Sequence, residues 1–184
     1  TSTSPLVLNN LDLVSRPVSY MNVQVKSNDG AAHDVQLYVG ASTDIAVNTP
    51  AQEVKGERYD AQGLSILKAG TTEQPVLQKK GDNVRIDWGY MYVATPSAKT
   101  VAQSVTAARP LTQAFQPAKT ASLSGKRLTL NTVVTMGKVD GAGKEQLLLL
   151  GYDDLYAVQF FKQDLRALWR EKDPSIEHQL SKAA

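Results

Sequence analysis

The residues able to do chemistry are few. Two histidines occur, His33 and His178. His33 follows the turn Ser27-Asn28-Asp29-Gly30, and with Asp34 or Asp29 it has the residue types of a general-base pair. No nucleophile or orienting third group accompanies it, so a surface turn histidine is the simpler reading. His178 lies near the end of the chain. No His-x-x-x-His or comparable spacing exists, which argues against a transition-metal site. Asp153-Asp154 sets two carboxylates side by side. As a general acid or calcium ligand the pair would need a partner acid or further oxygens. At the start of a helix it would serve as a cap. Trp88, Tyr90 and Tyr92 alternate along the chain, as a saccharide-stacking platform or a core aromatic ladder would. There is no Gly-x-Ser-x-Gly and no phosphate-cradling glycine loop; Gly81, Gly141 and Gly143 read as ordinary turn residues. No catalytic residue, cofactor site or metal site is assigned.

Composition narrows the classes further. The chain has 184 residues, 42% hydrophobic and 21% charged, with a net charge of +2 and no cysteine. That length suffices for one domain burying about 70% of its unfolded surface. The basic residues are scattered, with no block interleaved with aromatics, so a nucleic-acid partner is not expected. The longest aliphatic run, Leu147 to Leu150, is far too short to enter a membrane. Without cysteine there are no disulfides, no thiolate catalysis and no Cys-ligated zinc. The polar start at Thr1 and the helix-favouring end at Ala184 read as the cut boundaries of a longer, processed protein.

The elements that position these residues are mostly strands. The organising stretch is Val84 to Val93, where Val84, Ile86, Trp88, Tyr90 and Tyr92 share one face of a strand about 33 Å long. Residues 1 to 15 are a polar lead-in with a small apolar cluster and no regular helix. Val18 to Lys26 and Asp34 to Ala41 alternate and flank a turn, predicting a β-hairpin in which Met21, Val23 and Val25 share one face of the first strand, Val18, Tyr20, Asn22 and Gln24 the other, and Val35, Leu37 and Val39 form the buried face of the second. Short strands are expected at Asp44 to Asn48 and Val76 to Gln78, an exposed edge strand at Glu53 to Tyr59, and a further strand at Gly63 to Ala69. Lys79 to Asn83 reads as a charged turn. The stretch Pro96 to Ser124, poor in large apolar residues, reads as a surface excursion anchored by Leu111 and Phe115. Strands resume at Lys126 to Met136 and at Glu145 to Leu150; the second is apolar on both faces and so covered twice.

Beyond residue 152 the period changes. Leu155, Val158, Phe161, Leu165 and Leu168 step by three or four, which predicts a helix capped by Asp153 or Asp154. Tyr156, Phe160 and Trp169 widen its stripe beyond what one sheet covers. Burying five such side chains stabilises by about 10 kcal/mol at most. Asp173-Pro174 reads as the cap and first turn of a last helix, Ser175 to Ala184. Succession of strands without intervening helices predicts a mainly β fold: an antiparallel two-sheet β-sandwich, supersandwich-like, over residues 1–152, with a C-terminal helical linker over 153–184.

Several stretches in order carry a resemblance: Ser15-Arg16-Pro17-Val18-Ser19-Tyr20; Ser27-Asn28-Asp29-Gly30 with His33-Asp34-Val35; Gln74 to Asp82 running into Arg85-Ile86-Asp87-Trp88-Gly89-Tyr90; and Tyr152-Asp153-Asp154. This series resembles the N-terminal β-sandwich region of the glutaminase A family, over nearly the whole chain. Two positions depart from the family pattern: Lys162 stands in place of glycine after the aromatic pair, and Leu168 in place of tyrosine before Trp169. The resemblance implies a β-sandwich joined to a helical toroid that would follow residue 184, with glutamine hydrolysis to glutamate and ammonia belonging to the whole protein. It also implies export to the periplasm, cell surface or medium. On that reading the chain is non-catalytic and its partner is the helical domain of the same parent. The interface or cleft would be drawn from Trp88, Tyr90, Tyr92, Tyr152, Asp153, Asp154, Phe160 and Trp169. Two alternatives stand beside it: a carbohydrate- or peptide-binding sandwich on Trp88, Tyr90 and Tyr92, and a structural module whose apolar stripe drives self-association.

Overall fold

The computed structural model describes every residue except Lys80, Pro117 and Pro174. The expectations resting on Lys80, in the 79–83 turn, and on Pro174, in the last helix's first turn, therefore lie outside the described residues. The elements in chain order are β1 (Ser2–Thr3), α1 (Leu11–Val14), β2 (Val18–Val25), β3 (His33–Ser42), β4 (Val54–Ala61), β5 (Leu64–Thr71), β6 (Tyr90–Pro96), β7 (Val101–Ala107), β8 (Ser122–Gly125), β9 (Leu128–Val139), β10 (Lys144–Asp153), β11 (Val158–Phe160), β12 (Gln163–Leu165), α2 (Trp169–Lys172) and α3 (Ile176–Ala183). A seven-stranded sheet runs β1-β2-β10-β6-β5-β4-β8 and faces a three-stranded sheet, β3-β9-β7. The pairings are antiparallel. The fold is the antiparallel β-sandwich that the alternation predicts.

Two apolar layers lie on the large sheet. Between the sheets, Leu67, Met91, Val93 and Leu148 of the large sheet meet Val105, Leu128 and Leu130 of the small one. On the outer face, Ile66, Tyr92, Ala94 and Leu149 meet Trp169, Ile176 and Leu180 of the C-terminal segment. Leu148 and Leu149 thus point to opposite layers, as expected of a strand covered twice. The last helix starts where Ser175 caps it, its hydroxyl accepting from His178 N at 3.3 Å.

The predicted hairpin of strands 18–26 and 34–41 does not form. β2 pairs with β10, and β3 pairs with β9 in the other sheet. Residues 26–32 and 140–143 carry both strands across from one sheet to the other, and Ser27 N donates to Asp140 O at 2.9 Å where they pass. The local turn is present: Gly30 has φ +79° and Asp29 accepts from Ala31 N at 3.0 Å. The connection is too long for the tight two-residue turn that pins a hairpin register. The face of β3 expected inside does point inward, with Val35, Leu37 and Val39 partly buried, and on β2 Val18 is buried on the face opposite Met21 and Val23. Met21 and Val23 pack in the same core as Leu37 and Val39, across the sandwich rather than beside them.

The organising strand is also shorter than its alternation suggests. β6 begins at Tyr90. Gly89, at φ +76°, interrupts the extended chain, and Val84 and Ile86 are exposed. Residues 43–46 form a 3-10 turn rather than a strand, and β4 lies between β5 and β8 rather than at an edge. Residues 76–78 form no strand. The 96–124 excursion contains β7, whose Val105 is wholly buried, and β8. Leu111 is exposed and anchors nothing, whereas Phe115 packs edge-on against Tyr38, with ring centroids 5.9 Å apart.

The largest correction concerns the helix expected from Asp153. Asp153 ends β10, and residues 158–165 form the hairpin β11–β12. Leu155, Phe161 and Lys162 have φ of +59°, +45° and +64°, each incompatible with a right-handed helix. Steps of three and four coincide here with a strand–turn–strand arrangement, a known ambiguity of short apolar runs. Val158, Phe160 and Phe161 also favour extended backbone. The 153–184 segment is therefore a hairpin followed by two short helices, and its end packs on the sheet.

Candidate functional site

Trp88, Tyr90, Tyr152, Asp153 and Asp154 of the sequence-predicted residues converge on one corner of the large sheet. There β10 ends, the loop before β6 arrives, and α2 begins. Asp153 lies opposite Tyr90 in the β10–β6 register. The Tyr152 hydroxyl donates to Trp88 O at 2.8 Å, and the Trp88 indole N–H donates to Tyr156 O at 3.0 Å. Gly89 makes this approach possible. A Cβ on it would lie 2.2 Å from Asp153 O and 2.7 Å from Asp154 Cα, both backbone atoms.

Asp153 is 2% exposed and is met by Arg170, whose Nε stands 3.0 Å from Oδ1 while its terminal nitrogen donates to Oδ2. Leu155 N donates to the same Oδ1 at 3.1 Å, so the acid caps a turn, though not a helix. The Arg170 guanidinium also lies over the Trp169 ring, 4.9 Å from its centroid. Burial works against the Arg170 charge, but its hydrogen bond and attraction to Asp153 raise the guanidinium above its ordinary value. Asp154 differs. Burial first, and then the neighbouring Asp153, push its carboxyl above the usual range, only partly offset by Arg170. Tyr152 is raised as well, by burial and then by Asp154 and Asp87.

The aromatic trio does not form a stacking platform. Trp88 and Tyr92 are buried, and Tyr90 is half-buried with Lys68 Nζ 3.9 Å from its ring centroid. Tyr92 belongs to the outer core, and Trp169 is buried beside it. Tyr92 and Tyr152 also border an open apolar groove of about 580 Å³ between the sheets, with Met21, Val39 and Leu150. Phe160 stands apart from all of these, out in solvent on the β11–β12 hairpin.

This arrangement ties the end of β10 to the loop before β6 and to α2. Asp153 is committed to Arg170. Among the described residues no group of three or more His, Asp or Glu side chains could hold a metal ion. His33 and Asp29 are 2.9 Å apart, but Ser27 donates to Asp29 rather than to the histidine, the wrong order for a nucleophile. These contacts hold the Asp29 carboxyl down to about 2, through Ser27 first and then His33.

Several partners here escape sequence reasoning. Arg170, Gly89 and the Glu177–Tyr59 contact at 2.7 Å have no local pattern, because each bonds across a long sequence separation. One signal was available for the hairpin tip. Glycine was the residue expected at 162, and Lys162 there has φ +64°, the left-handed conformation that glycine adopts at least cost.

Over its whole length, residues 1–184, the chain matches the profile of a family described as a domain of unknown function, DUF5127, and it belongs to that family. No curated protein matches the chain.

Proposed function

We propose that this chain is a non-catalytic β-sandwich module of a glutaminase-A-like hydrolase, and that it supports a helical domain of the same parent protein. One observation carries the docking part: the hairpin between β10 and α2 offers apolar side chains to solvent. Phe161 is 85% exposed and Phe160 60%, and Val158, Leu165 and Leu168 beside them are exposed as well. The Phe160 and Phe161 rings touch only edge to face, with centroids 4.5 Å apart. Burying each ring would contribute about 2 kcal/mol, and a patch of this kind on a protruding hairpin marks an interaction surface. The contacts of Asp153 with Arg170 and of Trp88 with Tyr156 tie the base of that hairpin to the large sheet. The hydrolase assignment rests on the ordered sequence resemblance alone.

The 184-residue chain should release no ammonia from L-glutamine; turnover by the chain itself overturns the non-catalytic reading. In the parent protein, Phe161→Ser should lower the melting temperature, while the isolated chain should melt unchanged. If the parent is also unaffected, the hairpin is not the docking surface. A saccharide-binding reading predicts a fluorescence response of Trp88 to a glycan panel, and the burial of Trp88 and Tyr92 weighs against it.

A further inference from the structure

We propose that a small carboxylate anion binds between the N-terminal turn and the C-terminal helices, held by Arg16. A pocket of about 190 Å³ opens there, with Asp12 and Arg16 on one side, Trp169 and Lys172 from α2, and Asp173 and Lys182 on the other. Three cations and two carboxylates border it, leaving one positive charge unmatched.

The two carboxylates already have their cations. Lys172 Nζ lies 2.7 Å from Asp12 Oδ1. Asp173 Oδ2 receives Lys182 Nζ at 3.1 Å, His178 Nδ1 at 2.9 Å and Gln179 Nε2 at 3.0 Å. Burial works against the Asp173 charge, yet Lys182 and His178 hold its carboxyl below the ordinary value. Neither acid is left to neutralise Arg16.

Arg16 has only neutral acceptors. Its Nε donates to Gln179 Oε1 at 3.2 Å and its Nη1 to Tyr20 OH at 3.3 Å. The guanidinium is half-buried and forms no ion pair among the described residues. Trp169, also lining the pocket, contrasts with Trp88: its indole N–H donates to no acceptor among the described residues. Donors thus outnumber acceptors, and the net charge calls for a single negative one. A planar carboxylate presents two oxygens to a guanidinium edge and matches that charge. A phosphate dianion would overshoot it and crowd Asp12 and Asp173. The bound anion would tie the turn at α1 to α2 and α3.

The test is a ¹H–¹⁵N spectrum of the 184-residue chain titrated with sodium acetate at constant ionic strength. The assigned Trp169 indole peak should shift saturably while the Trp88 peak stays in place. Arg16→Gln should weaken the apparent affinity by about tenfold or more, as loss of a charge-assisted pair does. Lys182→Gln should weaken it less. Should Arg16→Gln fail to fold by circular dichroism, Arg16→Lys takes its place; it keeps the charge, loses the fork, and should still bind more weakly. No saturable shift, a shift of both indoles alike, unchanged affinity in the Arg16 variant that folds, or tighter binding of inorganic phosphate than of acetate each overturns the proposal.

Discussion

The two coverings of the large sheet differ in how they are held. On the inner face the three-stranded sheet is continuous with it. β2 passes into β3 and β9 into β10, so the cover cannot lift without unpairing strands on both sides. Its contacts are chiefly aliphatic: Val105 and Leu130 against Leu67 and Leu148. The outer cover is the end of the chain, reached through an exposed hairpin. It adds Trp169, Ile176 and Leu180 to the core, and it is latched by polar pairs to the sheet and the N-terminal turn: Arg170 to Asp153, Glu177 to Tyr59, and Gln179 to Arg16. A layer built into the sheet's connectivity opens only with the whole domain, whereas a terminal layer on side-chain latches can open by itself.

The largest effects should separate the two layers. Leu130→Ala empties a fully buried inner position and should cost about 4 kcal/mol in a urea melt. Leu180, equally buried on the outer face, should cost about 3 kcal/mol on the same substitution, but with a different signature. In native-state hydrogen exchange its variant should release the α3 amides first and leave those of β9 protected. If β9 loses protection to the same extent, the two coverings are one cooperative unit. Arg170→Met comes next. It strands Asp153 as a buried charge and should cost about 3 kcal/mol at neutral pH. Adding Asp153→Asn should recover much of that loss, a non-additivity readable in a double-mutant cycle.

The same contrast governs how much of the molecule can be read from its sequence. The inner layer is legible because alternation alone decides it. Met21, Val23, Leu37 and Val39 are partly buried against one core, on the faces their period of two sets, even though β2 and β3 lie in different sheets. Pairing was not legible, because a strand's faces are local properties while its neighbours depend on whether a turn is short enough to fold back. The outer layer was legible only at its last helix, and there the cap is Ser175, while Asp173, expected to cap it, ends α2 instead. Between Asp153 and Leu168 the apolar residues fit a helix by spacing and a hairpin by type. The positive φ values at Leu155, Phe161 and Lys162, at positions without glycine, decided for the hairpin. Gly89 is the converse case. Its neighbours read as uninterrupted strand, and its φ of +76° together with the nearness of the Asp153 and Asp154 backbone shows why glycine stands there.

Acid should loosen the outer layer before the inner one. Burial opposes the Glu177 charge, but the Tyr59 hydroxyl holds its carboxyl below the ordinary 4.5, and Asp173 is likewise held below 3.8. Folded values below the unfolded ones mean stability that is present above these ordinary values and is lost as pH falls through the folded ones. Tyr59→Phe should remove one charge-assisted hydrogen bond, cost about 1 kcal/mol at neutral pH, and flatten the loss between pH 5 and pH 3. A urea midpoint series across that range measures both. An unchanged acid limb would show that the outer latch does not titrate with Glu177.

The smallest effect has the opposite sign and lies at the corner where the two layers meet. Asp154 is raised above 3.8 by burial and by Asp153, so the folded state takes up its proton more readily than the unfolded one. Its charge therefore costs stability at neutral pH, and that cost disappears as pH falls below the unfolded value. Asp154→Asn should stabilise the chain by about 0.5 kcal/mol at pH 7, a figure kept small because the group is partly solvated. The gain should vanish near pH 3. A destabilised variant at pH 7 would mean that the ionised Asp154 carboxylate has a stabilising partner in the folded chain, and that this acid, like Asp153, acts as a latch.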